Sequence, residues 1–306
     1  MTIPIVIDCD PGHDDAIAIL LALASPEVEL VGVTTVAGNQ TLDKTTRNAL
    51  VTLEVGGRSD IPVAVGAEAP LRRELRTAAH VHGETGLDGP ELPEPSASPV
   101  DAHAADFLAT LIEPGVVLVP TAPLTNLALM LERHPDVIDR LEHIVWMGGA
   151  IAEGNITPAA EFNSFVDPEA AAAVFASGIP ITMVGLDVTH QALFTRAHAE
   201  RLRGTGRAGR FVAELSDFFQ GFHERSYAFD GSPIHDAMAV AHVIDPTLMT
   251  TQRANVAIET RSELCDGRTV VDLRGVTGRE QNAEVGIAVE AERFLELLVS
   301  RIAGLP

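Results

Sequence analysis

Short β-rich runs alternate with amphipathic segments from residue 3 to residue 185, and this alternation restricts the fold more than any other feature of the chain. The strand candidates are residues 3–8, 28–36, 61–65, 115–120, 142–148 and 180–185, with helical patterns at 15–24, 41–56, 102–112, 123–133 and 167–177 between them. Such an order implies βαβ units and a mostly parallel sheet. The expected architecture is a single Rossmann-like α/β domain over residues 1–306, with helices on both faces of the central sheet. Extended runs near 251–259, 269–274 and 284–290 predict a small antiparallel β addition before a last helix.

Two stretches break the alternation. Residues 76–100 are rich in Gly, Pro and acids, with a lid-like first part, Val81 to Gly89, and a linker-like second part, Pro90 to Pro99. A long loop in a compact domain is usually functional or disordered. Residues 205–232 read as a mobile helical region, ending in the turn Asp230-Gly231-Ser232-Pro233 before a helix that holds His235 and Asp236.

In an open parallel sheet, functional groups gather beyond the carboxyl ends of the strands. Five polar clusters fall there: Asp10 to Asp15, Ala37-Gly38-Asn39, Thr121, Met147-Gly148-Gly149, and Asp187. The first is the most unusual, because Asp8, Asp10, Asp14 and Asp15 crowd around the Pro11-Gly12 turn. Carboxylates so close repel one another unless a cation sits among them.

Composition narrows the function. A formal net charge of -22 and a single lysine, Lys44, exclude a basic nucleic-acid groove. At 46% hydrophobic residues and mean hydropathy +0.18 the chain can bury a large core, yet it has no apolar run long enough for a membrane span. Cys9 and Cys265 form no CxxC pair, so neither a disulfide framework nor a zinc site is expected. Cys9, set among acids that oppose thiolate formation, reads as a buried structural thiol. No secretory leader pattern opens the chain, and the expected location is cytoplasmic.

Asp10 and Asp15 are hard oxygen donors suited to Ca²⁺ or Mg²⁺. Two carboxylates do not complete a shell. Candidates for the rest are a strand-end carbonyl at Thr121, the carboxylate of Asp236, and water or substrate hydroxyls.

The run Asp8-Cys9-Asp10-Pro11-Gly12-His13-Asp14-Asp15-Ala16 resembles the signature of the inosine-uridine-preferring nucleoside N-ribohydrolases. Val119 to Asn126, Met147-Gly148-Gly149 with Ala160-Glu161-Phe162-Asn163, and Pro233-Ile234-His235-Asp236 agree in order, so the resemblance covers nearly the whole chain. It implies a glycosidase that hydrolyses the N-glycosidic bond of ribonucleosides to free base and ribose, in purine and pyrimidine nucleoside catabolism and salvage. It also implies a homodimer or homotetramer.

By the same resemblance, Ca²⁺ is held by Asp10, Asp15, Asp236 and the Thr121 carbonyl. Asp10 doubles as the general base on the bound water, and His235 protonates the departing base. Asp14 holds the ribose 2′ hydroxyl, while Asn155, Glu161 and Asn163 grip the 3′ and 5′ hydroxyls. Asn39 should face the sugar, and Met147 and Phe162 supply apolar walls. His82 matches a position near the base. Tyr227 sits where relatives place base-contacting aromatics, and Arg225 and His223 are weaker candidates. Trp146, inside a strand pattern, reads as buried.

Two other readings compete. A DxD phosphohydrolase fits Asp8 and Asp10 in spacing, but Gly12 stands where a Thr or Val is expected and the only lysine lies in an early helix. A Ca²⁺-dependent nucleoside- or ribose-binding protein without catalysis would have no use for Asp10 as base or His235 as acid. No P-loop and no dinucleotide fingerprint occurs.

Overall fold

The computed structural model describes residues 2–227 and 229–306, and for His223, Ser226 and Tyr227 it describes the backbone alone. Among the described residues the strands are β1 (Ile3–Cys9), β2 (Val28–Thr35), β3 (Val63–Val65), β4 (Val100–His103), β5 (Val117–Pro120), β6 (His143–Met147), β7 (Ile181–Val184), β8 (Leu193–Phe194), β9 (Ser232–Pro233), β10 (Met249–Ile258), β11 (Thr269–Asp272) and β12 (Ala283–Val289). Ten of them form one sheet in the order β11-β10-β12-β7-β6-β5-β1-β2-β3-β4, while β8 and β9 make a separate antiparallel pair.

The order of this sheet positions the site. From β1 the chain winds one way through β2, β3 and β4, then returns to the other side of β1 with β5, β6 and β7. β1 pairs in parallel with both β2 and β5. The reversal between β1 and β5 opens a crevice at their carboxyl ends, the place where such folds bind ligands.

Residue type explains why β1 lies at the centre. Ile5, Val6 and Ile7 are fully buried, with Ile5 and Ile7 packing on one face and Val6 on the other. A central strand covered on both faces reads as a continuous β-branched run, because alternation would bury polar groups. The helix His13–Ala24 that follows is buried along nearly its whole length, so its Ala, Ile and Leu residues pack all round.

The expected elements lie within a few residues of the observed ones, with two corrections. The predicted helix at 102–112 starts only at Ala104, because Val100–His103 forms the edge strand β4 on β3. A four-residue run holding Asp101 and His103 has little β-propensity of its own, and pairing with β3 makes it a strand. The C-terminal addition is also joined to the main sheet: β10 pairs antiparallel with β11 and β12, and β12 pairs in parallel with β7.

The stretch Pro90 to Pro99 is pinned to the body of the protein. Leu92 and Ala97 pack against the main core, and Ser96 donates to Glu54. Residues 207–227 form one long helix, Arg207–Tyr227. No helix among the described residues is long and apolar enough to cross a membrane.

Candidate active site

The acidic floor is built where β1 ends. Asp8 sits last but one in the strand, and its Oδ1 accepts from Thr34 Oγ1 at 2.6 Å and from Asn126 Nδ2 at 2.7 Å. It thus braces β1 against its neighbours. Burial raises its carboxyl to about 7. Cys9 is likewise buried and its thiol donates to the Thr34 carbonyl; burial and the surrounding aspartates hold it well above the usual thiol range.

Asp10, next along, is fully buried. Its Oδ2 accepts the Asn39 backbone N–H at 2.6 Å, and its Oδ1 has no hydrogen-bond partner among the described residues. Asp15 is fixed through both oxygens: Oδ1 accepts from Thr121 Oγ1 at 2.9 Å, and Oδ2 accepts from the Gly12 backbone at 3.0 Å and from Asn39 Nδ2 at 3.1 Å. Asp14 accepts the backbone N–H of His235 and is hydrogen-bonded to Asp236. The start of one helix, His13–Ala24, therefore meets the start of another, His235–Ile244, through their acids.

Ligand oxygens of Asp14, Asp15 and Asp236 lie within 4.8 Å of one another, all buried. Burial pushes the carboxyls of Asp10, Asp14, Asp15 and Asp236 up, and mutual repulsion adds to the rise for Asp10, Asp14 and Asp236. No Lys or Arg is among the residues lining the cleft above them. Charge neutralisation must come from protons or from an added cation. The donors are all oxygens, with a partnerless carboxylate oxygen on Asp10 beside the trio. That chemistry fits a hard divalent metal and does not fit a soft one.

The cleft has a volume of about 740 Å³ including the open solvent at its mouth. Of the residues expected to face a substrate, Asp14, Asn39, His82, Met147, Asn155, Glu161, Phe162 and Asn163 all line it, as do Thr121, His235 and Asp236. Asp10 and Asp15 lie behind this surface, reached through their bonds to Asn39 and Thr121. The side chain of Tyr227 lies outside the described residues.

The far wall is held by a cap. Glu161 precedes the short helix Phe162–Val166, and its carboxylate accepts from the backbone N–H groups of Gly149 (2.7 Å), Asn163 (2.8 Å) and Ser164 (3.1 Å). Burial raises it to about 7 against those bonds. Asn163 bridges two strand ends, donating to the carbonyls of Thr121 at 3.1 Å and Met147 at 3.0 Å. Asn155 accepts from the Phe162 backbone at 2.9 Å. Trp146 is fully buried, its indole N–H given to the Ala122 carbonyl. Asp187 does not reach the cleft: its carboxylate accepts from the Ile151 and Ala152 backbones and steadies the loop after β6.

Aromatic groups close the other side. His82 ends the short helix Ala79–His82, and its Nδ1 lies 3.1 Å from Nδ1 of His13, whose Nε2 bonds the Asp88 carbonyl at 2.8 Å. Phe219, from the long helix, stacks on both histidines. Sequence reading did not single out His13, His80, His190, Phe219 or Phe222. The last four line the cleft, although segments remote from the acids carry them. The helical spacing of the phenylalanines reads as core packing, and only the tertiary fold brings these groups to the site.

A buried acidic floor at the switch point of a parallel sheet, opening on a cleft lined by amide, carboxylate and imidazole groups, defines an α/β protein with a polar small-molecule cleft over a group of acids that could hold a metal ion. A family model for the inosine-uridine preferring nucleoside hydrolase matches residues 5–296, and the chain belongs to that family, whose members cleave the N-glycosidic bond of ribonucleosides. It is 53% identical to the pyrimidine-specific ribonucleoside hydrolase RihA of Shewanella sp. strain ANA-3, across 99% of this chain and 97% of that one. Its fold is similar to that of a plant nucleoside hydrolase, the PpNRh1 enzyme, with TM-score 0.93 and 34% identity over 99% of this chain and 100% of the other. The purine-preferring ribonucleoside hydrolase from Gardnerella vaginalis is equally similar, at TM-score 0.93 and 34% identity over 98% of each chain.

Proposed function

We propose that this chain hydrolyses pyrimidine ribonucleosides to free base and ribose with the help of Ca²⁺. The observation that carries the reading is the convergence of Asp14, Asp15 and Asp236 beside the partnerless Oδ1 of Asp10, under a cleft that His235 lines. The choice of pyrimidines is supported by the relative at 53% identity.

The carboxylates of Asp10, Asp15 and Asp236 and the carbonyl of Thr121 would hold the metal. When bound, Ca²⁺ supplies Lewis acidity that lowers the pKa of a coordinated water and orients the ribose hydroxyls. Asp10 accepts the proton of the attacking water through Oδ1, while the Asn39 backbone keeps Oδ2 in place. Asp14, Asn155, Glu161 and Asn163 bind the ribose hydroxyls, and Asn39 faces the sugar. The buried carboxylates stabilise the positive charge that develops on the ribose as the glycosidic bond breaks. His235 gives a proton to the departing base. Met147 and Phe162 pack on the sugar, and His82 stands near the base, with the lid-like stretch Val81 to Gly89 as the segment that opens and closes over it.

A cytoplasmic location and a homodimer or homotetramer belong to the same reading. Free thiols at Cys9 and Cys265 suit a reducing compartment. Measuring kcat/KM for uridine, cytidine, inosine and adenosine tests the proposal. Preference for uridine and cytidine supports it; preference for inosine or adenosine overturns the base assignment; binding of ribose with no turnover of any nucleoside makes the chain a binding protein.

A further inference from the structure

The segment between β7 and β8 carries none of the acids of the cleft floor, yet it grips the histidine assigned to the leaving base. The short helix Leu186–Thr189 places Thr189, 1% exposed, with Oγ1 2.8 Å from Nδ1 of His235. His190, the next residue, meets the His235 ring at 60° with centroids 5.5 Å apart. The hydroxyl thus fixes one ring nitrogen and the neighbouring imidazole limits the tilt of the ring.

The backbone holds this arrangement in register. β8 pairs with β9, Leu193 opposite Pro233 and Phe194 opposite Ser232, so the chain just after His190 is laddered to the chain just before His235. Gly231 makes the approach possible, since its φ is +145° and a Cβ there would meet the Phe194 carbonyl oxygen at 2.8 Å.

We propose that Thr189 is a positioning residue for glycosidic cleavage: its oxygen accepts the Nδ1–H of His235, so that Nε2 is the nitrogen presented to the leaving base. The inference rests on His235 as the group that protonates that base. In the step, the Nε2 proton passes to the base as the bond from C1′ to the base nitrogen breaks and its electron pair stays with the base. The water oxygen bonds to C1′ and the water proton goes to Asp10. His235 then keeps its remaining proton on Nδ1, still bonded to Thr189, so no ring rotation is needed during the reaction. A hydrogen bond to the second ring nitrogen is the usual means of fixing which nitrogen works.

The test compares uridine with 4-nitrophenyl β-D-ribofuranoside, whose leaving group departs as a stable anion and needs no acid. Both substrates use the same ribose and metal contacts. For Thr189→Val, equal in shape but without the acceptor, kcat for uridine should fall roughly 10- to 100-fold, part of the ~10²–10⁴ that a positioned acid contributes. The nitrophenyl riboside should be cleaved within about twofold of wild type, and Thr189→Ser should recover most of the uridine rate. An equal loss on both substrates, no loss on uridine, or a Ser variant as poor as the Val variant overturns the proposal. His235→Ala is the separate control: an unchanged uridine rate there defeats the reading of His235 itself, whereas a selective loss in His235→Ala without one in Thr189→Val defeats only the role of Thr189.

Discussion

The backbone N–H of Asn39 holds Oδ2 of Asp10 at 2.6 Å, and Oδ1 of the same buried carboxylate has no partner among the described residues. A buried carboxylate oxygen without a donor is costly, and Oδ1 is left open to a ligand or a water. Two neighbouring strand ends thus orient one carboxylate: the residue just after β1 is Asp10, and the turn after β2 supplies Gly38 and Asn39.

That close approach depends on Gly38. A Cβ at this position would stand 2.1 Å from Oδ2 of Asp10. Gly38→Ala should therefore displace the carboxylate and lower kcat by at least about tenfold, with the melting temperature moved by only a few degrees. Steady-state kinetics beside a thermal melt checks this.

The acidic floor should make folding stability depend on the metal. A ligand that binds the native state alone stabilises by about 4 kcal/mol at a thousand times its dissociation constant. Melting in excess Ca²⁺ and then in EDTA should give a higher midpoint with Ca²⁺, and Asp236→Asn should remove most of the difference. Equal midpoints for the wild type would count against a tight site. Mg²⁺ should shift the midpoint less, because it prefers a rigid octahedral shell.

Glu161 serves the wall of the cleft as a helix cap. Glu161→Ala removes the acceptor of three backbone N–H groups and should cost about 1–3 kcal/mol. The variant should melt several degrees lower and show a raised KM, since the short helix that carries Asn163 loses its cap. A melt unchanged from wild type would rule out the capping role.

Acid sensitivity should trace in part to His242. It is mostly buried in the helix His235–Ile244, its Nδ1 lacks a partner among the described residues, and burial pushes it down from 6.5 to about 4; the charge on His143 adds to this and Asp245 opposes it. The unfolded chain thus takes up a proton near pH 6.5, well before the folded one does. Stability is full above that pH and falls as pH drops toward 4, by up to roughly 2–3 kcal/mol from this residue. Urea unfolding at pH 7 and at pH 4.5 should show a smaller difference for His242→Leu than for wild type.

The parts of the molecule legible in the sequence are those set by local pattern. Ile5 to Ile7 identify a buried central strand, the acids after them identify the floor of the cleft, and Pro233 to Asp236 identify a second helix start that returns to it. What stayed hidden depends on partners far along the chain. Val100–His103 becomes a strand only through β3, and β12 joins the main sheet only through β7. His13 lies inside the acidic signature, but its contacts with His82, Asp88 and Phe219 exist only once the loop after β3 and the long helix are folded over it. His190 and Thr189 carry no motif, and their place beside His235 follows from the β8–β9 ladder.

The proposed role of Asp10 is to activate water for glycosidic cleavage. Release of free ribose from uridine, followed with Ca²⁺ present for the wild type and for Asp10→Asn, tests it most directly. The wild type should release ribose, and kcat should fall by about 10²–10⁴ in the variant. A variant that releases ribose at the wild-type rate would contradict it.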